Sequence, residues 1–203
     1  MKRGSLILAA GVLAAGALAA LVLAGRGLRD ENLKNAPLVN ADGTAPIGTT
    51  MVAPAPQEGF ALLDNKDVLA PNGLYYAAWA AGQPQPYENS EGETVDLYDA
   101  QLTLVVQENQ TEERAASAVS GWLELARQNY NMTETRTLTA AGQEYTVCLF
   151  EYTDAANPYS FGAAAFARRG KSAIELELSC RQGYAGDPLE ILTEFLDGCA
   201  YPN

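Results

Sequence analysis

A chain of 203 residues, 48% of them hydrophobic, carries enough apolar material for one ordinary core, which excludes disorder throughout. Its 25 acidic against 13 basic residues give a net charge of -12, a balance that repels nucleic acid and anionic lipid, so no nucleic-acid partner is expected. Histidine is absent, which excludes Ser-His-Asp and Cys-His hydrolases; the three cysteines lack C-x-x-C spacing, so neither a zinc site nor any other cofactor is expected.

Lys2 and Arg3 precede an apolar run from Leu6 to Ala24, 19 residues long. As a helix such a run reaches about 28 Å, close to the hydrocarbon thickness of a bilayer. The spacing predicts a single-pass signal-anchor over residues 1–31, with membrane contact through residues 6–24 and the remainder outside the cytoplasm. A cleaved signal peptide is the alternative, because Val22 and Ala24 offer small residues before Gly25 and the domain would then be secreted. No cysteine lies near the end of the run, so lipid attachment is not expected. Residues 32–58 carry Pro37, Pro46, Pro54 and Pro56 with no sustained apolar period and read as an extended linker, an arm packed on the domain being the alternative, which leaves residues 59–203 as a single extracytoplasmic domain.

Within that domain Pro71-Asn72-Gly73 signals a turn before a strand over 74–81, and residues 83–92 read as a loop leading to a second strand over 94–107. Thr111 caps a helix with Glu112 and Glu113 in its first turn; Ala115, Ala118, Val119, Trp122, Leu125, Ala126 and Tyr130 form its expected buried stripe. The Thr-rich run 133–139 reads as a strand near an edge. Residues 144–153 and 159–168 are apolar at nearly every position, as strands covered on both faces are. Over 171–180, Ile174, Leu176, Leu178 and Cys180 point inward and Glu175 and Glu177 outward. Asp187-Pro188 and Glu190 open a last helix whose buried face is Leu189, Leu192, Phe195, Leu196 and Cys199. The fold class is therefore α+β: an antiparallel meander with an opening hairpin, one helix after the second strand and one C-terminal helix packed on the sheet.

Strand geometry also bears on the cysteines. With Arg169-Gly170 as a two-residue hairpin loop, Ala163 faces Leu176 and Tyr159 faces Cys180. With residues 153–158 as a simple connection, Tyr152 faces Tyr159, which sets Cys148 beside Ala163 on the Leu176 face. The last helix then carries Cys199 toward Cys148, and a Cys148–Cys199 disulfide is expected, with Cys180 left over. The alternative is three unpaired cysteines acting as small apolar residues.

The element order, with Gly142-Gln143-Glu144-Tyr145, the strands it opens, and Gly170-Lys171-Ser172-Ala173-Ile174, resembles the PsbP-like fold over residues 74–201. That fold is shared by the photosystem oxygen-evolving subunit, a Ran-binding import factor and many secreted bacterial proteins. The resemblance implies binding or scaffolding and transfers no catalytic residue.

Three clusters are candidate sites. Glu88, Glu91, Glu93 and Asp96 offer carboxylates for calcium without the spacing of a calcium loop. Arg168, Arg169 and Lys171 at one hairpin tip suit a partner's carboxylate or phosphate. Glu175 and Glu177, two apart on one strand face, can be an acid/base pair or simply charges that protect an edge. The expected function is a membrane-tethered, non-enzymatic binding or scaffolding domain of the bacterial cell envelope, its partner a protein or small ligand of that compartment. A carboxylate-dependent hydrolase and a calcium-dependent module are the alternatives.

Overall fold

The computed structural model describes residues 39–63, 69–70, 73–89, 92–109, 111–154 and 156–202. The expected membrane-spanning run at residues 6–24 lies outside them. Among the described residues, no helix is long and apolar enough to cross a membrane.

The centre of the molecule is an antiparallel sheet. In chain order its strands are β3 (Phe60–Leu62), β4 (Leu69–Ala70), β5 (Leu74–Ala81), β8 (Ala100–Glu108), β9 (Tyr130–Ala140), β10 (Gln143–Tyr152), β11 (Phe161–Arg169) and β12 (Ser172–Cys180). Seven of them follow the spatial order β3-β5-β8-β12-β11-β10-β9, and β4 adds to β5. The last strand in the chain, β12, is thus paired on both sides, with β8 and β11, and is central. The α+β class and the meander stand as expected, and the Thr-rich strand, β9, does lie at an edge.

Helix α1 (Glu112–Asn129) starts where Thr111 accepts a hydrogen bond from the Arg114 amide at 3.3 Å. Helix α2 (Pro188–Asp197) starts where Asp187 Oδ1 accepts from the Leu189 and Glu190 amides at 2.8 and 3.2 Å. The two helices pack on opposite faces. On the α2 face, Trp79, Leu102, Leu104, Ile174, Leu176 and Leu178 meet Leu192, Phe195 and Leu196, and the Trp79 ring stands edge-on to Phe195 at 4.9 Å. On the α1 face, Tyr130, Phe150 and Phe166 meet Ala126, Val119, Trp122 and Leu123. Leu125, expected in the buried stripe, is instead 55% exposed, and Leu123 takes the place against the sheet.

Three further expectations are corrected. The described part of residues 32–58 is not a spacer. Strands β1 (Ala45–Ile47) and β2 (Met51–Ala53) form a hairpin whose Ala45, Ile47, Met51 and Ala53 are buried in the α2-face core. Val52 exchanges backbone hydrogen bonds with Ala200 at 2.7 and 2.9 Å, while Glu108 Oε1 accepts from the Thr49 amide and hydroxyl at 2.6 and 2.8 Å. The arm succeeds with two three-residue strands because alternate residues reach an already apolar surface. Secondly, the loop at residues 83–92 and the start of the second strand hold a separate small hairpin, β6 (Gln85–Glu88) with β7 (Thr94–Leu97). The chain breaks off β5 at Gly82, whose φ of 90° is costly for other residues and whose Cβ position lies 2.3 Å from Asp99.

The third correction concerns register. The β11–β12 loop is Gly170-Lys171, so Phe161 faces Cys180 and Ala163 faces Leu178. That slip of two preserves the faces. Between β10 and β11, however, Cys148 faces Ala164 rather than Ala163, a slip of one, and one residue exchanges the two sides of a strand. Cys148 therefore lies on the α1 face, and Cys180 and Cys199 lie on the other. All three are free thiols, so the Cys148–Cys199 disulfide is not formed.

Candidate functional site

Glu175 and Glu177 sit in the middle of the sheet on the α1 face. The alternation of β12 points Ile174, Leu176 and Leu178 into the α2-face core and leaves Glu175, Glu177 and Ser179 on the other side. The reading of these acids as edge protection is wrong, since β12 is no edge. Their cross-strand neighbours are Val105 and Phe166 for Glu175, Thr103 and Ala164 for Glu177, and Gln101 and Gly162 for Ser179. Gly162 is required there: a Cβ would lie 2.1 Å from the Leu178 carbonyl and 2.8 Å from the Phe150 ring.

Aromatic hydroxyls close around the acids. Tyr130 Oη donates to Glu177 Oε2 at 2.8 Å. Tyr152 Oη and Ser179 Oγ lie 2.7 Å apart and donate to Glu177 Oε1 at 3.1 and 3.0 Å. Tyr130 is held in place by stacking on Phe150 at 4.1 Å and meets Tyr152 edge-on at 5.1 Å. From the β5 side Tyr76 lies beside Thr103 and Gln101, and Tyr159 donates to Gln101 Oε1 at 3.2 Å. Glu175, Glu177, Tyr76, Gln101, Thr103 and Tyr159 all remain partly accessible, so this strip is a shallow trough beside α1 rather than a sealed core.

Glu175 makes no hydrogen bond among the described residues. Burial, followed by the charge of Glu177, pushes its carboxyl up to about 8, so near neutral pH it holds a proton. Burial raises Glu177 too, opposed by the hydroxyl bonds from Tyr130, Ser179 and Tyr152. The phenols move the same way: burial pushes Tyr159 up to about 12 and raises Tyr76, Tyr130 and Tyr152, leaving all four neutral donors. The arrangement is a carboxyl group held by three hydroxyls beside a second carboxyl with no hydrogen-bond partner.

The other expected sites are not assembled in this way. Glu88, Glu93 and Asp96 are exposed on β6, β7 and their connection, Glu93 accepts from Asn89 at 3.2 Å, and Glu91 lies outside the described residues. Among the described residues no three metal-ligating side chains converge. At the hairpin tip Arg168 is bound to Glu112 at 2.7 Å, and Arg169 lies 4.4 Å over the Tyr201 ring on the opposite face; only Lys171 stays without a side-chain partner. A separate depression lined by Gln85, Asp99, Arg181 and Tyr184 has its arginine committed to Gln85 at 2.7 Å. The sequence reading weighed Glu175 and Glu177 but not Tyr76, Tyr130, Tyr152 and Ser179 as their company. The clue was Ser179, which continues the same period on a strand with partners on both sides.

No family model and no curated protein matches the chain. Among solved structures it is similar to cyanobacterial PsbP from Synechocystis sp. PCC 6803, at 10% identity and a TM-score of 0.37 over 72% of this chain and 95% of that one. The likeness is one of fold. A Pseudomonas aeruginosa protein of unknown function described as a putative regulator gives 12% identity and a TM-score of 0.31 over 50% of this chain and 85% of that one. A Bacteroides thetaiotaomicron structure gives 11% and 0.29 over 63% of this chain and 45% of its own. At these values the resemblance carries no residue role and no argument about activity.

Proposed function

We propose that this chain is a non-enzymatic binding module of the bacterial cell envelope, tethered to the membrane through residues 6–24, and that its ligand docks on the Glu175–Glu177 trough. One observation carries the choice of site: Glu177 spends both oxygens on protein hydroxyls, whereas Glu175 beside it spends none. A buried carboxyl group without a partner is costly, and a bound ligand that pairs with it recovers that cost. The location rests on Lys2 and Arg3 ahead of the apolar run.

Carboxylate-dependent hydrolysis is the second reading, favoured by a Glu175 that holds its proton near neutral pH as a general acid must. It ranks lower because a base or nucleophile needs a free lone pair aimed at the substrate, and Tyr130, Tyr152 and Ser179 occupy Glu177. The experiment is a thermal-shift screen of the detergent-solubilised full chain against small molecules and cell-wall fragments, run beside a Glu175→Gln/Glu177→Gln variant. Compounds that raise the melting temperature of the natural chain alone support binding in the trough. If no compound separates the two proteins the site is wrong, and turnover of a hit moves the function to hydrolysis. A reporter fused after Asn203 is expected to be active only outside the cytoplasm; activity of a strictly cytosolic reporter there would overturn the location.

A further inference from the structure

We infer that the trough takes an organic cation, a primary ammonium or guanidinium group on a short apolar body; this rests on the binding reading above. The first reason is a missing counter-charge. Buried carboxyl groups are ordinarily matched by Lys or Arg, yet among the described residues neither Glu175 nor Glu177 belongs to an ion pair. The arginine of β11 on this face, Arg168, is committed to Glu112 of α1. Every donor to Glu177 is a neutral hydroxyl.

The second reason is the chemistry of the surroundings. Tyr76, Tyr130 and Tyr152 supply phenol rings beside the acids, and an alkylammonium or guanidinium ion is the charged species that aromatic groups and carboxylates bind together. An anion meets the acid pair and is repelled. A divalent metal finds two carboxyl groups and no third ligating residue, and would have to displace the hydroxyl donors of Glu177. When the cation seats, Glu175 ionises and its proton passes to the buffer, so the ligand charge is met by a carboxylate formed in place. The titratable groups facing Glu175 during that step are Glu177 of β12 and Tyr130 at the end of α1, and Tyr76 of β5 faces Glu177.

The test uses the full chain in detergent with n-butylammonium chloride as the probe, n-butanol as its neutral isostere, butyrate as its anionic counterpart and calcium chloride as the metal control. Butylammonium is expected to shift tyrosine NMR signals saturably and to remove the infrared band of the protonated Glu175 carboxyl. Affinity should fall by about tenfold in Glu175→Gln and in Glu177→Gln, with the other three compounds much weaker. The fold of each isosteric variant is checked by its undisturbed tyrosine spectrum. Butanol acting as well as butylammonium would overturn the cation assignment while leaving the trough a binding site. Preference for calcium, affinity unchanged in both variants, or no saturation by butylammonium overturns the assignment as well; the binding reading is judged separately, by the thermal-shift screen.

Discussion

The two faces of one sheet are built to opposite rules. On the α2 face β12 contributes Ile174, Leu176 and Leu178 to a core with no accessible surface at those positions, sealed by α2 and by the β1–β2 arm. On the α1 face the same strand contributes Glu175, Glu177 and Ser179, and the cover stops short of the two acids. The first face does what apolar burial alone can do and holds the domain together. The second gives up part of that stabilisation to keep two carboxyl groups out of bulk water, and local rules are expected to be broken where a protein binds or reacts.

The comparison breaks most readily at the arm. A chain starting at Glu58 loses Ile47 and Met51 from the sealed face, each contributing about 1.5–3 kcal/mol by burial. It should therefore be several kcal/mol less stable than the full chain in urea titrations and prone to aggregate; equal stability would show that the arm is not part of the core. Next comes Leu176→Ala, a cavity at a fully buried position, with an expected loss of about 3 kcal/mol in the same measurement.

The α1 face should respond to pH instead. Glu175 has a folded pKa near 8, above the usual 4.5, so the folded state holds a proton the unfolded chain has released. Its contribution is complete below about pH 4.5 and is lost as pH rises through 8. Stability should therefore decline between pH 5 and pH 8, by an amount on the order of 2 kcal/mol after allowing for partial exposure, and Glu175→Gln should flatten that decline. Parallel pH profiles for the two proteins would show that Glu175 is not held protonated. The smallest effect belongs to Leu125→Ser on the outer side of α1, expected within about 0.5 kcal/mol because the side chain is already exposed. A larger loss would mean that α1 has a covered outer side.

Much of the architecture was legible from local chemistry. Thr111 and Asp187-Pro188 set both helix starts, and the alternation from Ile174 to Cys180 marked the inward side of β12. The arm was not legible, since two three-residue strands around Pro46 and Gly48 fall below any periodic signal. The cysteine pairing failed on one residue in the connection 153–160, where counting along the chain cannot locate the ladder's first pair. The trough was half legible: a period-two run names the residues opposite the core but reads the same whether that side meets water or a helix.

The hydrogen bonds between Val52 and Ala200 also set an order of events. The arm leaves the ribosome before any of the sheet, while two of its partners, Ser172 and Ala200, are made more than a hundred residues later. The sealed core cannot close before residue 200 has been made, so it waits on a contact that spans about 150 residues of chain, and until then its apolar strands stay uncovered.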